Sequence, residues 1–255
     1  MERFDELVRI MERLRAPGGC PWDREQTHQS IRKYVIEEAY EVAEAIDHDD
    51  AQELCGELGD LLLQVVFHAQ MAGEAGRFTI DDVCRAVVDK MRRRHPHVFG
   101  DVAVSGAAEV VRNWEQIKAR ERGATASAVD GVPRALPALQ RAERMGDKAA
   151  HVGFDWPDVA AVLAKVDEER AELGEALIGD DRQRVADELG DLLLATANLA
   201  RKLEIEPERA LSSAVDRFEK RFRSVEAGAR GEGRALGTMS AAELDRRWEQ
   251  AKRDG

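Results

Sequence analysis

The sequence predicts an all-α fold built twice in tandem, and three observations carry that prediction. Apolar residues recur at helical spacing while strand signals are sparse. Charged residues make up 35% of the chain and aromatics 5%, a mix suited to helices with solvated outer faces. Finally, three blocks recur in the same order. Glu37-Glu38-Ala39-Tyr40-Glu41 returns as Glu168-Glu169-Arg170-Ala171-Glu172, an offset of 168 − 37 = 131. Glu57-Leu58-Gly59-Asp60-Leu61-Leu62-Leu63 returns as Glu188-Leu189-Gly190-Asp191-Leu192-Leu193-Leu194, again at 131. Trp114-Glu115-Gln116-Ile117-Lys118 returns as Trp248-Glu249-Gln250-Ala251-Lys252, at 134. Chance similarity of acidic helical segments does not produce three blocks in order, so the chain reads as a duplication.

The 255 residues suffice for two domains of roughly 125 each. The expected division is 1–121, a linker at 122–132 marked by Gly123, Ser127 and Gly131, and 133–255. In the first copy a helix over 2–15 stops at Pro17-Gly18-Gly19. A helix over 27–46, with Thr27 as its N-cap, carries the EExxE cluster. After the polar turn Asp47-His48-Asp49-Asp50, a helix over 51–74 carries ExxD; helices over 79–94 and 107–121 follow, the former ending before His95-Pro96-His97. The second copy predicts helices over 134–149, 157–178, 181–204, 207–228 and 240–253. Both ExxD helices run on into nearly continuous apolar sequence, Leu61 to Phe67 and Leu192 to Ala197. A helix apolar on most sides must be covered on most sides, which one small module cannot do. Packing of the two halves, and of two chains into a homodimer, is the expected solution.

Charge and cysteine usage exclude several classes. A formal charge of −12 argues against a nucleic-acid polymer or an acidic membrane surface as partner. Cys20, Cys55 and Cys84 form no CxxC pair and are odd in number, which fits reduced thiols in the cytoplasm. No run reaches the roughly 20 apolar residues of a membrane helix, and the first residues resemble no signal peptide.

The acidic blocks carry the chemistry. At about 100° per residue, Glu37, Glu38 and Glu41 share one sector of their helix, and Glu57 and Asp60 share a face of the next. A short turn makes those helices antiparallel neighbours, so five carboxylates converge and raise one another's pKa unless a cation neutralises them. Oxygen-only donors with no nearby His or Cys favour Mg²⁺ or Mn²⁺ over zinc. Ordinary solvated helix faces are the bland alternative. They do not account for acidic pairs placed twice at the mouth of an apolar run. A di-iron carboxylate bundle needs Glu-x-x-His, which neither ExxD supplies. Carboxylate-held metal suits phosphoanhydride hydrolysis. No GxxxxGK[ST] loop is present, so basic side chains would grip the phosphates; Arg217, Arg221, Trp248 and Lys252 are candidates, the last two four apart on one helix face. A nucleotide-binding module without hydrolysis is the competing class, but five convergent negative groups gain a mere polyanion binder little.

EExxE followed after 15 residues by ExxD is similar to the motif of the all-α NTP pyrophosphohydrolases, including the dimeric dUTPase-like and MazG proteins. Gly19-Cys20-Pro21-Trp22-Asp23 with Gln26-Thr27-His28, Arg94-His95-Pro96-His97-Val98-Phe99, Leu136-Pro137-Ala138-Leu139 and Val152-Gly153-Phe154-Asp155-Trp156 resemble the tandem MazG form in particular. The resemblance implies a homodimer, Mg²⁺ dependence, and cleavage of NTPs or dNTPs between the α- and β-phosphates. It implies that Glu38, Glu41, Glu57 and Asp60, and Glu169, Glu172, Glu188 and Asp191, bind metal, with Glu37 and Glu168 positioning or deprotonating water. It puts Lys165, Arg184, Arg217, Arg221, Trp248 and Lys252 near the nucleotide. The chain departs from the family's Asn-x-Lys-Phe, reading Val215-Asp216-Arg217-Phe218. Arg184-Val185-Ala186-Asp187 before the second ExxD, against Glu53-Leu54-Cys55-Gly56 before the first, points to the C-terminal half as the dominant catalyst. The first half keeps its five carboxylates with Lys90, Arg94, Trp114 and Lys118, and is expected to hold metal and stabilise the assembly.

Overall fold

The computed structural model describes residues 2–122 and 127–254, and every regular element among them is helical. The chain divides into two compact units, Met1–Trp114 and Glu115–Gly255. That division falls inside the last helix of the first copy rather than after it. Residues 123–126 of the expected linker lie outside the described residues.

The first unit contains α1 (Glu2–Arg15), α2 (Pro21–Glu25), α3 (Arg32–His48), α4 (Ala51–Glu74), α5 (Ile80–Arg94) and α6 (Pro96–Phe99); α7 (Ala107–Arg122) begins in it. The core gathers Met11 of α1, Ile31 ahead of α3, and Val66, Phe67 and Met71 of α4, with Leu7, Tyr34, Leu63 and Ile80 packed around them. Each of these buried side chains contributes on the order of 1.5–3 kcal/mol, which is what fixes α4 against α1 and α3. Turns set the register. Asp49 takes the left-handed conformation at φ 56°, and the Asp50 carboxylate accepts from the Gln52 and Glu53 amides at 2.8 and 3.1 Å to start α4. After α1, Gly19 lies so close that a Cβ there would meet the Leu14 carbonyl oxygen at 2.2 Å. Arg15, almost fully buried, ties the end of α1 to Glu74 at the end of α4 at 2.7 Å. Thr79 and Asp82 form a reciprocal capping box on α5.

Some boundaries differ from those expected. Helix α3 begins at Arg32, not at 27, and Thr27 does not cap it. The Thr27 hydroxyl instead accepts from the Ser30 amide at 3.2 Å, closing a local turn that competes with helix. Two short helices were not foreseen, α2 and α6; both start with proline, which is preorganised for the first helical position.

The second unit holds α8 (Ala138–Ala150), α9 (Val159–Ala176), α10 (Arg182–Lys202), α11 (Pro207–Gly231), a 3₁₀ turn (Leu236–Thr238) and α12 (Ala241–Asp254). Helix α8 starts at Ala138 rather than 134, because Pro137 disfavours helical backbone in the residue before it. Helices α9 and α10 pair across the short turn Leu177–Asp181, where Asp181 caps α10 as Asp50 caps α4, 181 − 50 = 131 residues earlier. Helix α8 lies on α10 at Gly146, where a Cβ would come within 2.5 Å of the Asn198 side-chain oxygen. Asp155 then anchors the loop before α9 to Arg201 and Lys202 of α10.

Apolar side chains stay uncovered in both units. Leu58, Leu62 and Val65 on α4, Leu189, Leu193 and Leu194 on α10, and Leu211, Val215, Phe218 and Phe222 on α11 are exposed.

Candidate metal centre

Each EExxE helix pairs with its ExxD helix through one tight turn, so the carboxylates meet as helical spacing requires. In the first unit one oxygen each of Glu38, Glu41 and Glu57 lies within 4.8 Å of the others; in the second the same holds for Glu169, Glu172 and Glu188. These are the second and third Glu of EExxE and the Glu of ExxD in both copies. Asp60 and Asp191, one turn along, are exposed and fall outside those sets. Glu37 and Glu168 are exposed beside them.

The electrostatics follow from the crowding. Partial burial raises the Glu38 carboxyl above the usual range, and the charges of Glu41, Asp60 and Glu57 raise it further. Glu57 is raised by burial, then by Glu41, Asp60 and Glu53. In the second unit burial raises Glu172, helped by Glu169 and Glu188 and opposed by Lys165. Like-charged oxygens held this close are the donor set a hard divalent cation neutralises, and no His or Cys belongs to either set. The residues therefore fit Mg²⁺ or Mn²⁺.

The basic and aromatic candidates split into two groups. Lys165 and Arg184 join the carboxylates. The Lys165 ammonium is 2.7 Å from Glu168 and 2.7 Å from Glu169, whose carboxylate is buried, while Arg184 Nε is 3.7 Å from Glu188. These hydrogen bonds hold Lys165 more firmly protonated than a free lysine. Arg217, Arg221, Trp248 and Lys252 sit on the α11–α12 pair. Trp248 packs on Phe218 at 5.2 Å between ring centroids, and Lys252 pairs with Glu249 at 2.6 Å. The Arg221 charge acts on Glu249, and Arg217 is exposed. Among the described residues, no hydrogen bond, ion pair or ring contact joins this group to Glu168, Glu169, Glu172, Glu188 or Asp191.

The first unit has a matching set. Val88-Asp89-Lys90-Met91 aligns with Val215-Asp216-Arg217-Phe218, and Arg94 with Arg221, at an offset of 215 − 88 = 127. There Trp114 meets His95 edge-on at 4.9 Å in place of a phenylalanine. Sequence reasoning missed a cavity of about 260 Å³ in this unit, lined by Val35, Leu61, Gln64, Val65, His68 and Phe78 among others. It opens one helical turn from Glu38 and Glu57, and the buried Gln64 side-chain oxygen has no partner. A glutamine inside the apolar run of α4 was the available signal. It also missed the stacked pair His28 and His68, whose Nδ1 atoms are 2.7 Å apart.

Comparison with known proteins agrees with this arrangement. The profile of the MazG nucleotide pyrophosphohydrolase domain matches residues 26–99 and 158–225, so each match spans one EExxE–ExxD hairpin. The chain is 47% identical to a nucleoside triphosphate pyrophosphohydrolase of Escherichia coli K12, over 99% of this chain and 98% of the relative. It is 47% identical to the nucleoside triphosphate pyrophosphohydrolase/pyrophosphatase MazG of Thermotoga maritima, over 98% and 95%. A nucleoside triphosphate pyrophosphohydrolase of Mycobacterium tuberculosis is 36% identical over 81% of this chain and 65% of its own length. With the family's domain matched twice around two equivalent carboxylate sets, the chain belongs to the MazG family.

Proposed function

We propose that the protein hydrolyses nucleoside triphosphates, NTPs or dNTPs, to a nucleoside monophosphate and pyrophosphate. One water is consumed and the bond between the α- and β-phosphates breaks. The observation that carries this reading is the threefold convergence of carboxylates on each helical pair, matched by relatives named for that reaction. Glu169, Glu172, Glu188 and Asp191 would hold Mg²⁺, or Mn²⁺ in its place, as would Glu38, Glu41, Glu57 and Asp60. When bound, the metal supplies neutralisation of the polyphosphate and a lowered pKa for coordinated water.

The chain's own groups account for the rest. Glu168 projects from the edge of the set and can take a proton from the attacking water at Oε1 once Lys165 leaves it. Lys165 and Arg184, already at the carboxylates, are within reach of phosphate oxygens delivered there. Glu37 has the first position in the other set, but no cation pairs with it among the described residues. This difference supports the C-terminal half as the dominant catalyst, with Arg217, Arg221, Trp248 and Lys252 as the phosphate-binding and stacking surface. The uncovered apolar stripes on α4, α10 and α11 support a homodimer that buries them. The three free thiols support a reducing, cytoplasmic setting.

The test is pyrophosphate release from the four NTPs and four dNTPs with Mg²⁺, using wild type, Glu41→Gln and Glu172→Gln. The expected result is NMP plus pyrophosphate from wild type and Glu41→Gln, with Glu172→Gln inactive. No cleavage of any nucleotide with Mg²⁺ or Mn²⁺ would overturn the enzymatic reading and leave a nucleotide-binding module.

A further inference from the structure

The carboxylate sets match, but the cations beside them do not. Lys165 reaches Glu168 and Glu169, and Arg184 faces Glu188. One repeat earlier those positions are Tyr34 (165 − 131 = 34) and Glu53 (184 − 131 = 53). Tyr34 packs against the core of its unit, and Glu53 pairs with His48 at 3.2 Å. Among the described residues, no lysine or arginine forms an ion pair with Glu38, Glu41 or Glu57. The first set is therefore purely anionic, while the second is already partly neutralised from within.

A divalent cation arriving at Glu169 or Glu188 competes with an ammonium or a guanidinium for the carboxylate charge. At Glu38, Glu41 and Glu57 it displaces no basic side chain and relieves repulsion instead. A triphosphate changes the second case, because its oxygens offer Lys165 and Arg184 another place to put their charge. Resting on the metal-dependent reading above, we infer that the two halves load metal differently: the Glu38–Glu41–Glu57 set is a resident site filled by the cation alone, and the Glu169–Glu172–Glu188 set is filled together with the nucleotide. Lys165 and Arg184 are the coupling residues. Because binding free energies are linked, nucleotide and metal raise each other's affinity at the second set by the same factor.

Mn²⁺ binding to the full chain, followed by calorimetry and by electron paramagnetic resonance, tests this without turnover. It is measured alone and with an ATP analogue whose α,β-bridging oxygen is replaced by methylene. Wild type should show a tight class that Glu41→Gln removes, and a weak class that the analogue tightens. Lys165→Met should tighten the weak class about three- to tenfold in the absence of analogue, the range expected for removing an ion-paired competitor, and should shrink the effect of the analogue. Lys165→Arg should restore wild-type behaviour. Glu53→Arg should weaken the tight class by a similar factor, and thermal melts would confirm that each variant is folded. Equal affinity at both sets, or a weak class indifferent to Lys165→Met, would overturn the inference while leaving metal binding intact. A folded protein that binds no Mn²⁺ at either set would overturn the metal-dependent reading itself, and this inference with it.

Discussion

Helices α3 and α4 in the first unit and α9 and α10 in the second carry the same acidic pattern, but the charges around it have diverged. In the second unit Lys165 and Arg184 stand against the carboxylates; in the first, Tyr34 and Glu53 hold those positions. Glu57 consequently has Glu53 among the groups that raise its pKa, whereas at Glu172, raised by burial and by Glu169 and Glu188, Lys165 opposes the rise. The aromatic partners differ as well, His95 for Trp114 and Phe218 for Trp248. Duplication preserved the backbone device, an aspartate-capped tight turn that brings two acidic helices together. The side chains beside it diverged, Tyr34 packing onto the core of its unit where Lys165 instead reaches Glu168 and Glu169.

The largest expected effect tests the division of labour. Glu172→Gln should lower pyrophosphate release by ~10²-fold or more, as loss of one charge-stabilising group at a reaction centre does, while Glu41→Gln retains most of the wild-type rate. Equal losses would dissolve the functional distinction between the halves. Next in size is Phe67→Ala in the core of the first unit, where the side chain is 4% exposed. It should cost about 3–5 kcal/mol and lower the melting of the first unit. A matching loss for the second unit in the same scan, with each unit followed by hydrogen exchange, would show that the two unfold as one.

Smaller effects should be the same in both halves. Asp50→Ala and Asp181→Ala each remove a cap that accepts two backbone amides, and each should cost about 1 kcal/mol in denaturant melts. A clear inequality would mean that the two turns are not equivalent despite their matching sequence. Acid provides the last comparison. The bond from Arg15 lowers the Glu74 carboxyl in the first unit, and Arg234 with Ser240 holds Glu243 at about 2 in the second. A carboxylate whose folded pKa is depressed adds stability above its unfolded value near 4.5, and that stability disappears as pH falls through the folded value. The Glu243 contribution should therefore fade between about 4.5 and about 2. Glu74→Gln and Glu243→Gln should each flatten the acid limb of the melting curve and leave the pH 7 to 8 region parallel to wild type. An unchanged acid limb would assign the acid sensitivity to other groups.

Much of this was legible in the chain itself. The 3.6-residue periodicity and the recurrence at 131 residues give the all-helical duplicated plan, because both are local or repetitive signals. The helix starts were readable where one residue decides them, as at Asp50 before Ala51–Glu74. They were not where local bonds compete, as when Thr27 and Ser30 closed a turn and delayed α3 to Arg32. Proline carried two signals at once: α5 ends at Arg94, before His95-Pro96-His97 as expected, and Pro96 then starts the short α6 that the pattern did not predict.

The sequence determined on its own that Glu38, Glu41 and Glu57, and their counterparts one repeat later, could converge. Helical spacing fixes the angle of each side chain and a short turn fixes the pairing of the helices. The Lys165 contacts with Glu168 and Glu169 follow from the same spacing, three and four residues along one helix, whereas only the tertiary structure decided that Trp248 stacks on Phe218. That stacking depends on rotamers and on how α11 and α12 pack, which no local pattern encodes. The same holds for the unpartnered oxygen of Gln64 beside an apolar cavity. Periodicity selects which face of a helix turns inward, but the packing of several helices decides what that face meets.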